Sequence, residues 1–230
     1  MYVTQQNLKD YTGLNWIDSQ IAFVDLAIES AQTYVENYCG DKEFGKRIFA
    51  NPYADGADPV TKLFNGSGSK RLYVGDLFSL SSLSIENNGV AVDSEVLLYP
   101  LNNPASGFAY DSIEISQINY GINLVNSRAK LADPFIFEAD QSNIAVTGYW
   151  YYSDTPPADV KMAVLKLAGA ILRENFTDDD VRGKLSESLG EYSVSYQKVS
   201  EDANRLGIAA LLEPYVRKPY KKQGSGYIQV

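Results

Sequence analysis

The chain has 230 residues, 45% of them hydrophobic, which is enough for one large domain or two small ones. Acidic residues outnumber basic ones by 29 to 20, giving a formal net charge of −9. This balance argues against sequence-independent nucleic-acid binding, which needs clustered lysines and arginines to displace counterions from the phosphates. It does not exclude DNA passing along an acidic wall that repels it.

The chain contains no histidine and a single cysteine, Cys39. The lack of histidine excludes histidine-dependent nucleophilic triads and removes the commonest general base and zinc ligand. One cysteine cannot form an intrachain disulfide, and we expect Cys39 to be a small buried side chain at a helix end. No apolar run approaches the roughly 20 residues of a membrane helix. The N-terminus lacks a signal-peptide core, so we expect the protein to be made and kept in a cytoplasm.

Two helices are predicted at the start of the chain. Thr4 is placed to cap a short helix that contains Leu8 and ends at Gly13. A second helix is predicted from Asp18, with Gly40 as the residue that ends it. Apolar residues recur along this helix at spacings of three and four, as expected for one buried face. They are Ile21, Val24, Ile28, Ala31, Val35 and Tyr38.

A β-rich unit is predicted between the second helix and a later, longer one. Turn-forming residues interrupt the chain from Asp41 to Ser69. Short β-like runs then follow as far as Tyr152: RLYVG, SLSSLSIEN, VAV, EVLLYP, SIEIS, GINLV, PFIFEA and NIAVTGYWYY. The dipeptide Asn88-Gly89, between two of these runs, is the strongest hairpin signal in the chain.

A long helix is predicted after the Pro156-Pro157 pair and is expected to end near Phe176. Its buried stripe comprises Val160, Ala163, Val164, Leu167, Ala168, Ile171 and Leu172. Gly169, beside this stripe, would allow close packing with another helix. A last helix is predicted after a cap at Ser200, with Leu206, Ala209, Ala210, Leu212 and Tyr215 on it.

These elements predict an α+β fold. A helical core is expected from the two N-terminal helices (1–40), the long central helix and the C-terminal helix (156–216). The β-rich unit (60–152) is inserted into this core. Residues 217–230 are expected to form a flexible tail, because this terminal segment clusters Lys218, Lys221 and Lys222 and contains Gly224 and Gly226.

Three local motifs suggest chemistry, but each has a simpler interpretation. The run NGSGSK (65–70) lacks the spacing of a phosphate loop and precedes a strand, so we predict a turn. Asp178, Asp179 and Asp180 are adjacent and cannot all face one metal ion from a helix, so we predict a solvated helix start. The aromatic run Tyr149 to Tyr152 has no basic groove beside it, which favours packing in a core or a subunit interface.

Several short sequence motifs (called words below), taken in their order along the chain, resemble those of the head–tail adaptor, or head completion, proteins of tailed bacteriophages. The words are YVTQQNLKDYTGL and TYVENYCG near the N-terminus, then VTGYWYY, TPPADVKMAVLKLAGAIL and SESLGEYSVSYQ. None encodes chemistry, and their order and spacing carry the resemblance.

The resemblance implies a structural protein of the virion neck with no active site, cofactor or metal. It implies a ring, usually of twelve copies, that connects the portal to a tail-side neck or tail completion protein and lets genomic DNA pass without sequence-specific binding. Assembly would take place in the host cytoplasm.

Two segments are predicted to make the contacts of such a ring. Alternation of Tyr192, Val194 and Tyr196 with serines predicts a strand that needs a neighbour, in the same chain or the next one. The C-terminal tail is predicted to bind the portal through basic and aromatic residues, and the resemblance gives the direction of this prediction. Its residues are Lys218, Tyr220, Lys221, Lys222, Tyr227 and Ile228.

Two other classes of function remain open from the sequence. The aromatic β-rich unit could bind host glycans, and Asp178 to Asp180 could serve a metal-assisted hydrolase. The missing histidine and the lack of a distinct carboxylate pair count against the hydrolase. Against the glycan module, aromatic-rich strands also occur in ordinary interfaces.

Overall fold

The computed structural model describes residues 1–53, 56–87, 90–101, 107–119, 137, 139–175, 206–217, 220–223 and 226–229. Its helices are α1 (Gln5–Thr12), α2 (Ile21–Cys39), α3 (Ala158–Asn175) and α4 (Ile208–Leu212), with 3₁₀ turns at Asp18–Gln20 and Glu213–Tyr215. Its strands are β1 (Val60–Phe64), β2 (Arg71–Asn87), β3 (Val90–Tyr99), β4 (Tyr110–Asn119), β5 (Ile144–Trp150), β6 (Tyr220–Gln223) and β7 (Gly226–Gln229). The predicted α+β class is confirmed.

The chain divides into two compact units. Met1–Ala50 and Thr155–Arg217 form the first, which we call the helical unit. Asn51–Asp154 and Lys218–Val230 form the second, the sheet unit, which holds all the described strands. The helical unit is therefore built from two separate stretches of the sequence.

The start and end of α1 follow from its capping residues, as predicted. The Asn7 backbone N–H donates to Thr4 Oγ1 at 3.1 Å, and the Thr4 N–H donates to Asn7 Oδ1 at 2.9 Å. This reciprocal capping box satisfies donors that a helix start otherwise leaves unpaired. Gly13 ends the helix with a φ of 70°, a conformation that costs glycine little because it has no Cβ.

Helix α2 begins at Ile21, after a 3₁₀ turn that starts at the predicted Asp18. Its buried residues include Phe23, Val24, Ala27, Ile28, Ala31, Val35 and Cys39. The burial expected for Cys39 is confirmed. Tyr38 was assigned wrongly to the buried stripe: it is 39% exposed, and its ring stacks on that of Tyr34. Cys39, the next residue, takes the buried position.

Gly40 ends α2, but its backbone is extended rather than left-handed. A glycine is needed here for a different reason. A Cβ at this position would collide with the Gly45 carbonyl. Asp41 and Gly45 exchange backbone hydrogen bonds of 3.1 and 3.0 Å, which closes a tight turn directly after the helix.

Helix α3 is the centre of the helical unit, since it contacts α1, α2 and α4. All seven residues of its predicted stripe are buried. The expected close packing at Gly169 is confirmed, because a Cβ there would lie 3.1 Å from Thr12 Cγ2 of α1. The predicted helix end near Phe176 lies outside the described residues.

The last helix is shorter than predicted. Ser200 lies outside the described residues, and Leu206 lies in a turn rather than in a helix. Helix α4 begins at Ile208, after Gly207 with a φ of 67°, a backbone conformation that no helix continues. Ile208 and Leu212 are its buried residues, and Tyr215 lies in the following 3₁₀ turn.

Five antiparallel strands form the main sheet in the order β1-β5-β2-β3-β4. Strand β4 also pairs with β2, so β2, β3 and β4 each pair with the other two. The predicted hairpin is confirmed by the pairing of Asn87 with Val90, on either side of Asn88-Gly89. The runs RLYVG and SLSSLSIEN are one strand, β2, whose pairing with β5 shifts register twice. The runs VAV and EVLLYP likewise form one strand, β3.

The structure adds one strand that was not predicted, and two predicted runs fall wholly or mostly outside the described residues. Strand β1 was not predicted, because breakers surround its short run VTKLF. Of the run PFIFEA, Phe137 forms only an isolated bridge with Ser69, and the run GINLV lies outside the described residues.

The core of the sheet unit lies on one face of the sheet, and burial alternates strictly along β5. Its buried residues are Leu72, Val74, Leu77, Ile113, Ile115, Phe137, Ile144, Val146 and Trp150. Gly148 belongs to the same face. A Cβ there would collide with the Ser79 carbonyl and lie 2.7 Å from Leu77 Cδ1, so the close approach of β5 to β2 requires glycine.

The C-terminal segment contains two paired strands where composition favoured a flexible tail. β6 and β7 are antiparallel, with Tyr220 opposite Gln229 and Gln223 opposite Gly226. β7 also neighbours β2. Arg217, where the predicted tail begins, is only 6% exposed and belongs to the helical unit.

Candidate assembly surfaces

The residues predicted to contact partners fall into two groups. Tyr192, Val194 and Tyr196, expected in a subunit interface, lie outside the described residues, as does Lys218. The other five residues of the predicted portal contact lie in the β6–β7 pair, where Lys221 is opposite Ile228, Lys222 is opposite Tyr227 and Tyr220 begins β6. The fold therefore brings these five residues together in one two-stranded sheet, where four of them occupy two directly opposed pairs.

The aromatic run at the end of β5 is used for packing inside the sheet unit. Trp150 is buried in the core, and its Nε1 donates to the Val60 carbonyl at 2.8 Å. The Tyr151 ring is buried and stacks on Phe78 at 4.3 Å between centroids. Burial raises the pKa of Tyr151, and its hydrogen bond to Asp154 raises it further. These contacts are typical of structural aromatic residues.

The loop NGSGSK is the turn that joins β1 to β2. The hydroxyls of Ser67 and Ser69 both donate to the Arg71 carbonyl, at 2.8 and 2.9 Å. The Gly68 amide donates to the Phe137 carbonyl at 2.7 Å, and the Gly66 amide to the Asp140 carbonyl at 2.9 Å. A phosphate loop keeps such amides for its ligand, whereas here they are bonded within the protein.

Asp178, Asp179 and Asp180 lie outside the described residues. Within the described ranges, no group of three or more His, Cys, Asp or Glu residues could hold a metal ion. Among the helices that the structure describes, none has the length and apolar character needed to cross a membrane.

Strand β1 is the edge of the main sheet. It pairs with β5 on one side, and its other side faces no strand among the described residues. Val60 is 44% exposed and Leu63 is 64% exposed, whereas Phe64 is partly buried against the core. Lys62 lies with its Nζ 4.2 Å from the centroid of the Trp150 ring, on the core face of the sheet. An unpaired strand edge with exposed apolar side chains is a typical site for pairing with another chain.

The outer face of the sheet beside this edge carries no charged side chain where β1, β5 and β2 lie side by side. The register gives two rows across the three strands. The rows are Thr61, Thr147 and Ser82, and Leu63, Ala145 and Ser84. Hydroxyls of Thr61 and Thr147 are 2.7 Å apart across the strands. In a chain with a net charge of −9, this neutral face of small side chains contrasts with the overall composition.

Arg217 holds the C-terminal end of the helical unit in place through an ion pair and two hydrogen bonds. The Arg217 guanidinium forms an ion pair with Asp41 at 3.4 Å, and its Nη1 also donates to the Gly45 carbonyl at 3.3 Å. The Arg217 amide donates to the Cys39 carbonyl at 2.9 Å. Burial raises the pKa of the adjacent Glu43, and Asp41 raises it further, whereas Arg217 lowers it. Sequence reasoning missed this anchor, because nothing local links residues so far apart in the chain.

A buried polar cluster ties the N-terminus to α2. The Tyr2 hydroxyl donates to Glu36 Oε1 at 2.7 Å and accepts a hydrogen bond from the Phe49 amide at 2.7 Å. The Gln32 amide also donates to Glu36 Oε1, at 3.0 Å. Burial raises the pKa of Tyr2 above its ordinary value, and the Glu36 contact adds to the effect. The fully bonded cluster is typical of a structural role.

No protein-family model matches the sequence, and no curated protein matches it. Among solved structures, the fold is similar to a chain in a structure described as the neck of an empty GTA particle computed with C6 symmetry. The superposition covers 96% of this chain and 94% of that chain, with a TM-score of 0.49 and 11% sequence identity.

Proposed function

We propose that this protein is a non-catalytic structural component of a phage neck, located at the head–tail junction of the virion. Its copies form a ring, which we expect to be a dodecamer, between the portal and a tail-side neck or tail completion protein. Genomic DNA passes through the ring, and the acidic composition keeps it from sticking. Assembly takes place in the host cytoplasm.

One observation carries the proposal. The sequence words that resemble head–tail adaptors come from distant parts of the chain, and those forming α1, α2 and α3 pack together in the helical unit. The words YVTQQNLKDYTGL and TPPADVKMAVLKLAGAIL meet where Thr12 contacts Gly169. These words contribute to one packed helical core, which explains their order and spacing even though none contains a catalytic or ligand-binding pattern.

Two features support a structural role over the glycan-binding alternative. The aromatic rings of the sheet unit contact one another, as in the edge-to-face pair of Tyr53 and Tyr149 at 5.1 Å. Tyr151 and Trp150 are also buried, so neither offers an open ring face for stacking on a sugar.

The test uses the full-length protein mixed with the portal protein of the same particle. We expect rings of this protein on the portal in negative-stain images, and co-sedimentation of the two proteins. Absence of any complex, in conditions where each protein is folded, contradicts the neck assignment.

The non-catalytic part of the proposal has its own test. We expect no turnover above a buffer blank in a broad screen of ester, phosphoester and glycoside substrates with added divalent metal ions. Turnover that is lost in an Asp179→Ala variant, but kept in an Asp58→Ala variant, would support the metal-assisted hydrolase instead.

A further inference from the structure

We propose that the open edge of β1, together with the neutral face beside it, receives an extended strand from a second copy of this chain. The inference rests on the proposed function in one respect, namely that the second copy is the neighbour in a ring.

Two hydrogen bonds made by side chains indicate which backbone groups of β1 face the open side. The Val60 carbonyl accepts the Trp150 Nε1–H from β5, which puts this carbonyl on the β5 side. In an antiparallel pair, successive residues direct their amide and carbonyl groups alternately to the two sides. Thr61 and Leu63 therefore direct theirs away from β5. The short distance between the Thr61 and Thr147 hydroxyls agrees, because non-hydrogen-bonded pairs bring side chains closer.

Lys62, the residue of β1 that could block strand addition, lies on the core face of the sheet. Proteins commonly protect an edge strand with a lysine that projects into solvent. Lys62 is the only charged residue of β1, and, although it is exposed, its Nζ lies over the Trp150 ring on the core face and not on the outer face. The outer face keeps Thr61 and Leu63, which are exposed and uncharged.

Charge indicates that the partner is a second copy. Each copy carries a net charge of −9, so identical copies repel one another across acidic surfaces. The outer face beside β1 carries no charge, so a contact made there avoids this repulsion. It consists of the row Leu63, Ala145 and Ser84 and the adjacent row that begins at Thr61. Burying Leu63, which is 64% exposed, supplies the apolar contact.

The same charges favour a head-to-tail contact. Two β1 strands paired antiparallel along their full length would put Lys62 opposite Lys62, and like charges directly opposite each other are destabilising. Strand β1 therefore pairs with a different segment of the second copy. A contact between two different surfaces repeats from copy to copy and closes into a ring when the rotation allows.

The experiment compares Leu63→Lys and Thr61→Pro with the control Leu97→Lys. Leu97 is also on an exposed strand position of the sheet unit, at 41% exposure, but lies on β3, away from the open edge. Thr61→Pro removes an N–H that faces the open side, so the pairing of β1 with β5 should persist. Thermal melts show whether each variant is folded.

Self-association is measured by sedimentation velocity across a concentration series, and portal binding by co-sedimentation. We expect Leu63→Lys and Thr61→Pro each to weaken self-association by roughly ten- to a hundredfold, and Leu97→Lys to leave it unchanged. Variants that remain folded and associate like the wild type overturn the inference, as does a wild-type protein that stays monomeric both alone and on the portal.

The two readouts separate this inference from the proposed function. If wild type and edge variants form equal rings on the portal, the neck function stands and the edge contact is wrong. If the edge variants lose self-association but no form binds the portal, the edge contact stands and the neck function is wrong.

Discussion

At the scale of single residues, the space left by neighbouring atoms determines which residue type fits at several positions. Gly40 and Gly148 each lie so close to a backbone carbonyl that any side chain would collide with it. Cys39 is completely buried at the end of α2. Such residues specify the packing of the fold rather than a chemistry, which agrees with the structural function proposed.

The first prediction concerns Tyr2, whose hydroxyl bonds both Glu36 and the Phe49 amide. Tyr2→Phe leaves these buried groups without their shared partner. We expect a loss of about 1–3 kcal/mol in the free energy of unfolding at pH 7. Chemical denaturation measures this change. Tyr11→Phe is the control, because Tyr11 is 41% exposed, and a comparable loss there would contradict the assignment.

The pH dependence of Tyr2 gives the second prediction. Its pKa is raised in the folded state, mainly by burial, from an ordinary value of 10.0. The stability that this neutral hydroxyl contributes is fully present below pH 10 and is lost as the pH rises above it. We expect wild type to lose more stability between pH 9 and 11 than Tyr2→Phe does. Equal losses in the two proteins would show that Tyr2 is not the titrating group.

At the scale of elements, the helices followed from the sequence more closely than the strands did. The stripe of α3 and the capping box of α1 depend on residues close together in sequence, so periodicity and capping chemistry identify them. Strand β1 is stabilised by pairing with β5, distant in the chain, and its own five residues carry little signal. Its run of Val, Thr, Leu and Phe after Pro59 was the available indication.

The candidate assembly surfaces were also only partly predictable from the sequence. Composition pointed to the C-terminal segment, but not to its pairing as β6 and β7, because two four-residue strands gain their stability from partners. The anchor between Asp41 and Arg217 could not be read from sequence, since an ion pair across the whole chain has no local pattern.

The third prediction tests the contact between α1 and α3. Gly169→Leu puts a side chain where Thr12 Cγ2 already lies 3.1 Å from an added Cβ. We expect a loss of about 1–3 kcal/mol in the free energy of unfolding, because overpacking displaces α1. Ala170→Leu, at a half-buried position of the same helix, should change it by less. Thermal and chemical denaturation give both values, and a stable Gly169→Leu protein would contradict the packing described.

At the scale of the whole molecule, the proposed assembly contacts can be assigned to one or the other of the two units. Helices α1, α2 and α3 of the helical unit contain sequence words that resemble those of head–tail adaptors. The unit ends at Arg217, which is anchored to Asp41. The sheet unit offers the open β1 edge and the β6–β7 pair. Contacts made through one unit should therefore be removable without unfolding the other.

The fourth prediction applies this separation to portal binding. A truncation after Arg217 removes β6 and β7, with Tyr220, Lys221, Lys222, Tyr227 and Ile228, but keeps the ion pair to Asp41. We expect the helical unit to keep its circular dichroism signal and thermal transition, while portal affinity falls at least tenfold. Full-length binding should also weaken as salt rises if the lysines contribute, because salt screens charge–charge contacts.

A second truncation, after Pro214, provides the comparison. It also removes Arg217 and leaves the partly exposed Asp41 without its partner, so it should lower the stability of the helical unit by about 1–3 kcal/mol. Loss of portal binding in both truncations, with loss of stability only in the shorter protein, assigns the contact to the C-terminal strands. Unchanged portal affinity after truncation at Arg217 would instead assign portal binding to another part of the chain.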